Sequence, residues 1–340
     1  MTASTFRSVC LLLSVLLSFA PQALEDGGFS ARLKQLAAPL PAVTGIAIVH
    51  VQSGTAAALN ADDWFPMMSV YKLPIVVHAL RQADAGALNL STPITLTAAQ
   101  RRPGRSALSE RIAAEGAQTL TVRELIEWVV RESDNAASDT LLRTIGGPAA
   151  VSATLRSLGV EWINVDRYEL EFAADYYGVC CLDRLKPFTL EQFAAAVSAV
   201  SPGERRRAAQ AYLSDRRDSA TPRGMAMFAR RLQNGELLSA SSTTWLLEQM
   251  HHMRGVAPRI AGDLPAGTPV ARRPGTSGTT DGISAAHNET GIITLPGGRG
   301  HLVVSVFIKG AAGDAAARDK AIARIGRAAY DWALQSVPAR

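Results

Sequence analysis

The 340-residue chain is long enough to bury a full core, in one large domain or in two closely interleaved ones. Its 35 basic and 30 acidic residues give a net charge of +5, and the arginines are scattered without interleaved aromatic residues. This pattern indicates solvated faces and argues against a nucleic-acid partner.

The N-terminal residues predict an export signal. Arg7 is the only charged residue before an apolar run at residues 9–20, and small residues follow near Ala23. The run is too short to span a bilayer as a helix. We therefore expect a signal peptide over residues 1–23, a periplasmic or secreted mature protein, and no stable membrane insertion after cleavage.

The mature chain would keep only two cysteines, Cys180 and Cys181. An adjacent pair cannot link distant segments, so the fold is expected to depend on its hydrophobic core. The pair itself is compatible with two free thiols, a vicinal disulfide or an intermolecular bridge.

Apolar runs around glycine-containing turns predict strands at both ends of the chain. Near the N-terminus, residues 45–51 and 55–59 flank a turn at 52–54. Near the C-terminus, residues 285–295 and 301–308 flank a turn at 296–300. Residues 315–336 have the pattern of an amphipathic helix that covers one sheet face.

The middle of the chain is predicted to be helical. Capping boxes begin at Thr121 and at Thr189, each followed by an apolar helical pattern. We therefore expect an α/β fold of the α+β type, with an antiparallel sheet from both chain ends, flanked by helices. The sheet part would comprise residues 24–66 and 255–340, and an all-helical part would comprise residues 67–254.

A serine and a lysine one helical turn apart suggest nucleophilic chemistry. Ser69 and Lys72 begin an apolar helix predicted over residues 69–83, and residues i and i+3 share one helix face. A serine is a weak nucleophile unless a base activates it, and a buried lysine loses its proton more easily. The alternative is a helix cap followed by a surface lysine.

A second polar cluster, Ser133-Asp134-Asn135, lies between two predicted helices. Such residues are also common at helix N-caps, so the triplet alone identifies no function. The six histidines show no spacing typical of metal ligands. We expect no metal and no cofactor.

Together, these two motifs resemble the signature of class A β-lactamases and penicillin-binding proteins. The similarity extends over about residues 65–308. The family's third motif is Lys-Thr-Gly, on a strand beside the nucleophile. In this chain the corresponding residues are Arg273-Pro274-Gly275. The resemblance implies a β-lactamase-like fold and a serine hydrolase that acts on a small-molecule β-lactam.

The resemblance also implies roles for the two motifs. Ser69 would attack the β-lactam carbonyl, and Lys72 would assist its deprotonation. Ser133 would relay a proton to the leaving ring nitrogen, and Asn135 would hold the amide of the substrate side chain.

The third motif would bind the substrate. Arg273, Gly275, Thr276 and Ser277 correspond to the family's substrate-binding strand, and the N–H groups of Ser69 and Thr276 would form the oxyanion hole. Arg259 would anchor the substrate carboxylate, and an exposed turn arginine is its alternative.

Glu169 matches the family's catalytic glutamate on the omega loop, which activates the hydrolytic water. Its alternative is a solvent-exposed loop acid. Arg167 and Asp218 correspond to the ion pair that closes the base of this loop, although 50 residues lie between them. The resemblance therefore implies an enlarged omega-loop region, with an insertion at about residues 173–210 that contains helices at 190–200 and 204–213.

Two substitutions depart from the family pattern. Ala173 replaces the loop asparagine that follows the glutamate, and Pro274 replaces the threonine of the third motif. Proline lacks both the hydroxyl and a backbone donor.

Three functions remain compatible with these residues. The first is a monomeric β-lactam hydrolase with a Ser69 acyl-enzyme, which Arg167, Glu169 and Asp218 favour. The second is a β-lactam- or muropeptide-binding sensor that does not hydrolyse its ligand, favoured by Ala173 and Pro274. The third is a cell-wall D,D-peptidase, which would lack a deacylating glutamate.

Overall fold

The computed structural model describes residues 26–180, 182, 189–336 and 338. The predicted signal peptide, Cys181 and part of the predicted insertion lie outside the described residues. Cys180 is an exposed free thiol. No helix among the described residues is long and apolar enough to cross a membrane.

The strands of the described residues lie mainly toward the two ends of the chain, as predicted. They are Val43–His50 (β1), Ala56–Leu59 (β2), Phe65–Pro66 (β3), Pro93–Leu96 (β4), Gln118–Thr121 (β5), Ser219–Ala220 (β6), Val270–Thr276 (β7), Thr279–Thr280 (β8), Ile283–Ser284 (β9), His287–Thr294 (β10) and His301–Lys309 (β11).

The α-helices lie mostly between these two groups of strands. They are Gly27–Ala37 (α1), Lys72–Asp84 (α2), Ala107–Glu115 (α3), Val122–Glu127 (α4), Asn135–Thr144 (α5), Gly147–Ser157 (α6), Glu169–Tyr177 (α7), Leu190–Ala199 (α8), Pro202–Tyr212 (α9), Pro222–Gln233 (α10), Ala240–His251 (α11) and Ala315–Ser336 (α12). Short 3₁₀ turns at Met68–Tyr71 and Ala98–Gln100 and a π-helical turn at Trp128–Glu132 complete the described helical structure.

The main sheet has the strand order β2-β1-β11-β10-β7, and its neighbouring strands are antiparallel. It therefore joins both chain ends, which confirms the predicted α+β fold. Strand β7 lies at one edge, so its outer side is free to line a site.

Both faces of this sheet are buried. Along β1, Ile46 and Ile48 pack toward α1 and α12, whereas Ala47 and Val49 belong to the core shared with the helical part. Successive strand residues point to opposite faces, so one apolar run can fill two cores. Trp332 of α12 stacks on Phe29 of α1, with ring centroids 4.9 Å apart.

The predicted helices agree with the structure except at Ser69. Helix α12 has the predicted bounds, and the capping boxes at Thr121 and Thr189 form. The helix predicted from residue 69 is wrong at its start, because Ser69 lies in a 3₁₀ turn and α2 begins at Lys72. Helix α7, which contains Ala173, was not predicted.

Candidate active site

Ser69 lies in the 3₁₀ turn that leads into α2. Its chain neighbours Met68 and Val70 are buried, whereas Ser69 itself is partly exposed. Met68 has φ = 46°, a left-handed conformation that is costly for a residue with this side chain. The surrounding packing must therefore stabilise the left-handed conformation of Met68. In this conformation Ser69 is partly exposed, although the rest of the turn is buried.

Lys72 lies within a polar cage formed by three other segments of the chain. Its ammonium Nζ is 2.8 Å from Glu169 Oε1 and donates to Asn135 Oδ1 at 2.6 Å and to the Ser133 carbonyl at 2.8 Å. Lys72 is 0% exposed and Glu169 is 2% exposed. The alternative of a surface lysine is therefore wrong.

Burial acts on the two members of this ion pair in opposite directions. It lowers the pKa of Lys72, although the nearby Glu169 carboxylate favours the charged ammonium. It raises the pKa of Glu169, although Lys72 favours the carboxylate. The two pKa values are thus moved toward each other, which lowers the free-energy cost of passing a proton between these groups.

The second motif is shaped by a left-handed residue followed by a helix N-cap. Ser133 has φ = 57°, and Asp134 caps α5 by accepting from the Ala137 N–H. The Asp134 carboxylate also accepts from Ser106 Oγ and the Leu108 N–H, both at 2.9 Å. Asp134 is thus the helix N-cap, and Ser133 and Asn135 on either side of it face the site.

Glu169 occupies the first turn of α7, and its backbone is hydrogen-bonded to Asp139 of α5. The Glu169 N–H donates to Asp139 Oδ1 at 2.7 Å, and the other Asp139 oxygen pairs with Arg102 Nε. Asp139 and Arg102 were missed in the sequence. Asp139 follows Asn135 by four residues on one helix, so helical spacing could have indicated that both face the site.

The base of the enlarged loop is closed by an ionic network around Arg167. Arg167 Nε is 2.6 Å from Asp218 Oδ2, although the two residues are 51 positions apart in the chain. Arg167 Nη1 also contacts Asp175 at 2.5 Å and Asp215 at 3.1 Å. Asp218 further accepts from the N–H groups of Asp166 and Arg167 itself.

In the predicted insertion, α9 packs against α7 and against the β8–β9 hairpin, and Phe193 of α8 belongs to an apolar cluster with Ala174 of α7. Tyr176 of α7 and Tyr212 of α9 make an edge-to-face contact, with ring centroids 5.5 Å apart. The Tyr176 hydroxyl donates to the carbonyl oxygens of Gly278, at 2.8 Å, and Ile283, at 3.1 Å. The predicted insertion thus contacts the segment that follows the third motif.

The third motif lies on β7, directly beside the Ser69 turn. A Cβ atom placed on Gly275 would collide with the Met67 carbonyl oxygen, so this close approach requires glycine. The Ser277 N–H donates to the Ala286 carbonyl on the β10 side. Alternate backbone nitrogens of a strand point to opposite sides, so the nitrogens at positions 274 and 276 point away from β10.

Proline at position 274 therefore costs the sheet no ladder hydrogen bond, as expected for an edge strand. It does remove one backbone donor and one hydroxyl from the side that faces Ser69. The Thr276 N–H remains on this side, where an oxyanion donor is required.

Arg273 is buried behind the second motif and hydrogen-bonded to it. Its guanidinium donates to Ser133 Oγ and to the Ser69 carbonyl, both at 2.7 Å, and to the carbonyls of Val129 and Val130. It is 2% exposed. Burial lowers the pKa of Arg273 to about 10. Arg273 therefore contacts the nucleophile turn and Ser133 directly, without forming part of the cleft wall.

Arg259 is buried rather than exposed in a turn. Its guanidinium donates to Thr276 Oγ1 at 2.7 Å and pairs with Asp319 Oδ1 at 2.7 Å. A third contact is to the Asn288 carbonyl. The charge of Arg259 is thus balanced by Asp319, and the guanidinium lies behind the Thr276 hydroxyl.

A cleft of about 200 Å³ covers Ser69. Of the predicted site residues, six line it: Ser69, Ser133, Asn135, Glu169, Thr276 and Ser277. Four others lie behind its wall: Lys72, Arg273, Gly275 and Arg259. Ala173 and Pro274 line it as well, together with Arg105, which the sequence analysis did not identify. No cluster of metal-ligating side chains occurs among the described residues.

Comparison with known proteins agrees with this geometry. A model of the β-lactamase enzyme family matches residues 28–333. The chain belongs to this β-lactamase family. The extended-spectrum β-lactamase PER-1 of Pseudomonas aeruginosa is 28% identical over 298 residues, covering 88% of this chain and 85% of PER-1.

Solved structures of β-lactamases share the fold. A β-lactamase from Chitinophaga pinensis is 29% identical with a TM-score of 0.74, covering 90% of this chain and 99% of that one. An ancestral class A β-lactamase is also 29% identical, with a TM-score of 0.71, covering 89% of this chain and 99% of that one. This protein is therefore an enzyme of the class A β-lactamase type.

Proposed function

We propose that this β-lactamase opens the ring of penicillins and cephalosporins through an acyl-enzyme on Ser69. The observation that carries the proposal is the buried Lys72–Glu169 pair, 2.8 Å apart, beside the partly exposed Ser69. An amine and a carboxylate in contact can accept a proton from a hydroxyl and later from a water.

In acylation, Ser69 Oγ bonds to the lactam carbonyl carbon and transfers its proton to the Lys72–Glu169 pair. The N–H groups of Ser69 and Thr276 stabilise the oxyanion, because both belong to segments that face the cleft. The carbon–nitrogen bond of the ring then breaks, and Ser133 Oγ delivers a proton to the nitrogen. Ser133 Oγ regains a proton from the Lys72–Glu169 pair, which leaves Glu169 ionised for the second step. Arg273, which donates to Ser133 Oγ, fixes this hydroxyl in place.

In deacylation, Glu169 takes a proton from a water molecule, whose oxygen bonds to the ester carbonyl carbon. The bond between that carbon and Ser69 Oγ then breaks, and the proton held by Glu169 returns to Ser69 Oγ by way of Lys72. Two contacts hold the Glu169 carboxylate at the cleft. The Glu169 N–H donates to Asp139, and the Arg167–Asp218 ion pair closes the base of the loop.

Substrate binding is assigned to the remaining residues of the motifs. Asn135 donates through Nδ2 to the Pro103 carbonyl and faces the cleft, where it can also contact a side-chain amide. Gly275 lets β7 approach the nucleophile, Ser277 lines the cleft, and Arg259 orients the Thr276 hydroxyl.

A non-hydrolysing β-lactam or muropeptide sensor is the second candidate. It is favoured by Ala173 and Pro274, which line the cleft where the family has polar side chains. The position of Glu169 beside Lys72 argues against a D,D-peptidase, which needs no deacylating glutamate.

We further propose that the mature protein works as a monomer in the periplasm or outside the cell, without a cofactor. Its assigned residues come from a single chain, and an export signal at residues 1–23 fits this location.

Hydrolysis of the chromogenic cephalosporin nitrocefin tests the proposal. The wild-type enzyme is expected to turn over many equivalents, and Ser69→Ala is expected to show no turnover with an unchanged melting temperature. A burst of one equivalent without turnover in the wild type would instead identify the sensor. Equal turnover by Ser69→Ala would contradict the proposed nucleophile.

A further inference from the structure

The ring carboxylate of a penicillin or cephalosporin needs a cation at a defined place in the cleft. In these compounds the carboxylate is attached to the carbon that is bonded to the lactam nitrogen. Ser133 is proposed to protonate that nitrogen, so the partner of the carboxylate must lie close to Ser133. An arginine is well suited, because its guanidinium donates two parallel hydrogen bonds to a carboxylate.

The two arginines predicted from the sequence are poorly placed for direct contact. Arg273 is 2% exposed and Arg259 is 4% exposed. The charge of Arg259 is already balanced by Asp319 at 2.7 Å. Pro274 contributes no hydroxyl to this part of the wall. A cation in direct contact with the carboxylate must therefore be a different residue.

Arg105 meets the positional requirement. It lines the cleft and its side chain is 42% exposed. Arg105 Nε donates to the Glu132 carbonyl at 2.6 Å, which fixes the guanidinium one residue before Ser133. Nη1 and Nη2 donate to the carbonyls of Gly255 and Arg254, which precede the cleft residue Val256, at 2.8 Å and 3.3 Å.

The guanidinium of Arg105 also retains donors for a ligand. Its contacts with the carbonyls of the described residues use three of the five N–H groups of an arginine. The nearest carboxylate oxygen, Glu132 Oε2, is 3.8 Å away. A Cβ atom on Gly255 would collide with this guanidinium, so the opposing loop is shaped to admit it. Arg105 is therefore a cation held in position with two N–H groups available.

We propose that Arg105 binds the ring carboxylate of the β-lactam and thereby sets the preference of the enzyme for acidic substrates. The inference rests on the proposed function, because it takes Ser133 as the group beside the lactam nitrogen.

The test compares benzylpenicillin with its uncharged methyl ester in the wild type, Arg105→Gln, Arg105→Lys and Arg254→Gln. The ratio of kcat/KM for acid over ester is expected to fall about tenfold in Arg105→Gln, mainly through KM, because the site is partly exposed and screened. Arg105→Lys should retain part of the preference, since it keeps the charge but not the fork. Arg254→Gln is the matched control, because Arg254 is 66% exposed and also lies 3.8 Å from Glu132, but does not line the cleft.

The outcomes separate the inference from the function. Equal losses on acid and ester in both Arg105 variants would show that Arg105 only supports the loops, and would overturn the inference. An unchanged ratio would overturn it too. A wild type that is acylated by neither compound would contradict the proposed function itself.

Discussion

Replacing Glu169 with glutamine is expected to turn the enzyme into one that is acylated and then stalls. Glutamine keeps the shape of the side chain but cannot accept a proton, so no base activates the hydrolytic water. General-base catalysis of this kind typically contributes about 10²–10⁴-fold, and we expect deacylation to slow by that amount. Stopped-flow hydrolysis of nitrocefin should show a burst of one equivalent followed by little turnover.

The neutral side chain at Ala173 provides a control in the opposite direction. Ala173 lines the cleft on the same helix as Glu169 and offers the water no polar partner. Ala173→Asn is expected to speed deacylation, because asparagine adds a second hydrogen-bonding group there. Equal deacylation rates in the wild type and Glu169→Gln would show that another group activates the water.

Truncating Arg167 to alanine is expected to cause the largest loss of stability. Its removal leaves the Asp218 carboxylate, which is 3% exposed, without a cationic partner, next to Asp215 and Asp175. Breaking a buried pair in this way costs about 3–5 kcal/mol. Urea unfolding at neutral pH measures the loss. Arg217→Ala is the matched control, because Arg217 belongs to the same network but is 56% exposed, and should cost less than about 1 kcal/mol.

The loss of stability in Arg167→Ala should depend on pH. Burial raises the pKa of Asp218 to about 6, and Arg167 acts against this rise. Removing Arg167 therefore raises the pKa of Asp218 further. The penalty is fully present above the pKa of Asp218 in the variant. It shrinks as the pH falls from that value toward about 6, and below about 6 Asp218 is protonated in both proteins. A pH-independent loss would indicate that lost packing, rather than the unpaired charge, destabilises the variant.

Much of this architecture could be predicted because the relevant signals are local. Strand pairs at the two chain ends follow from apolar runs around turns, and α8 begins at a capping box that is visible in the sequence. The pairing of Arg167 with Asp218 could be predicted only through the family resemblance, since no local pattern relates residues 51 positions apart.

Other features depend on contacts that no local pattern reveals. The 3₁₀ turn at Ser69 and the left-handed Met68 arise from packing against β7, where Gly275 allows the close approach. The exposure of Arg105 and the burial of Arg273 could not be distinguished in the sequence, because both are arginines in polar segments. Their different roles follow only from where the chain places them.

The mass of the intact protein after brief exposure to benzylpenicillin tests most directly whether Ser69 carries the acyl group. Glu169→Gln should gain the mass of one intact penicillin, and peptide mapping should place the adduct on the segment that contains Ser69. The double variant Ser69→Ala, Glu169→Gln should gain no mass. An adduct that persists in the double variant, or that maps to another residue, would contradict the account.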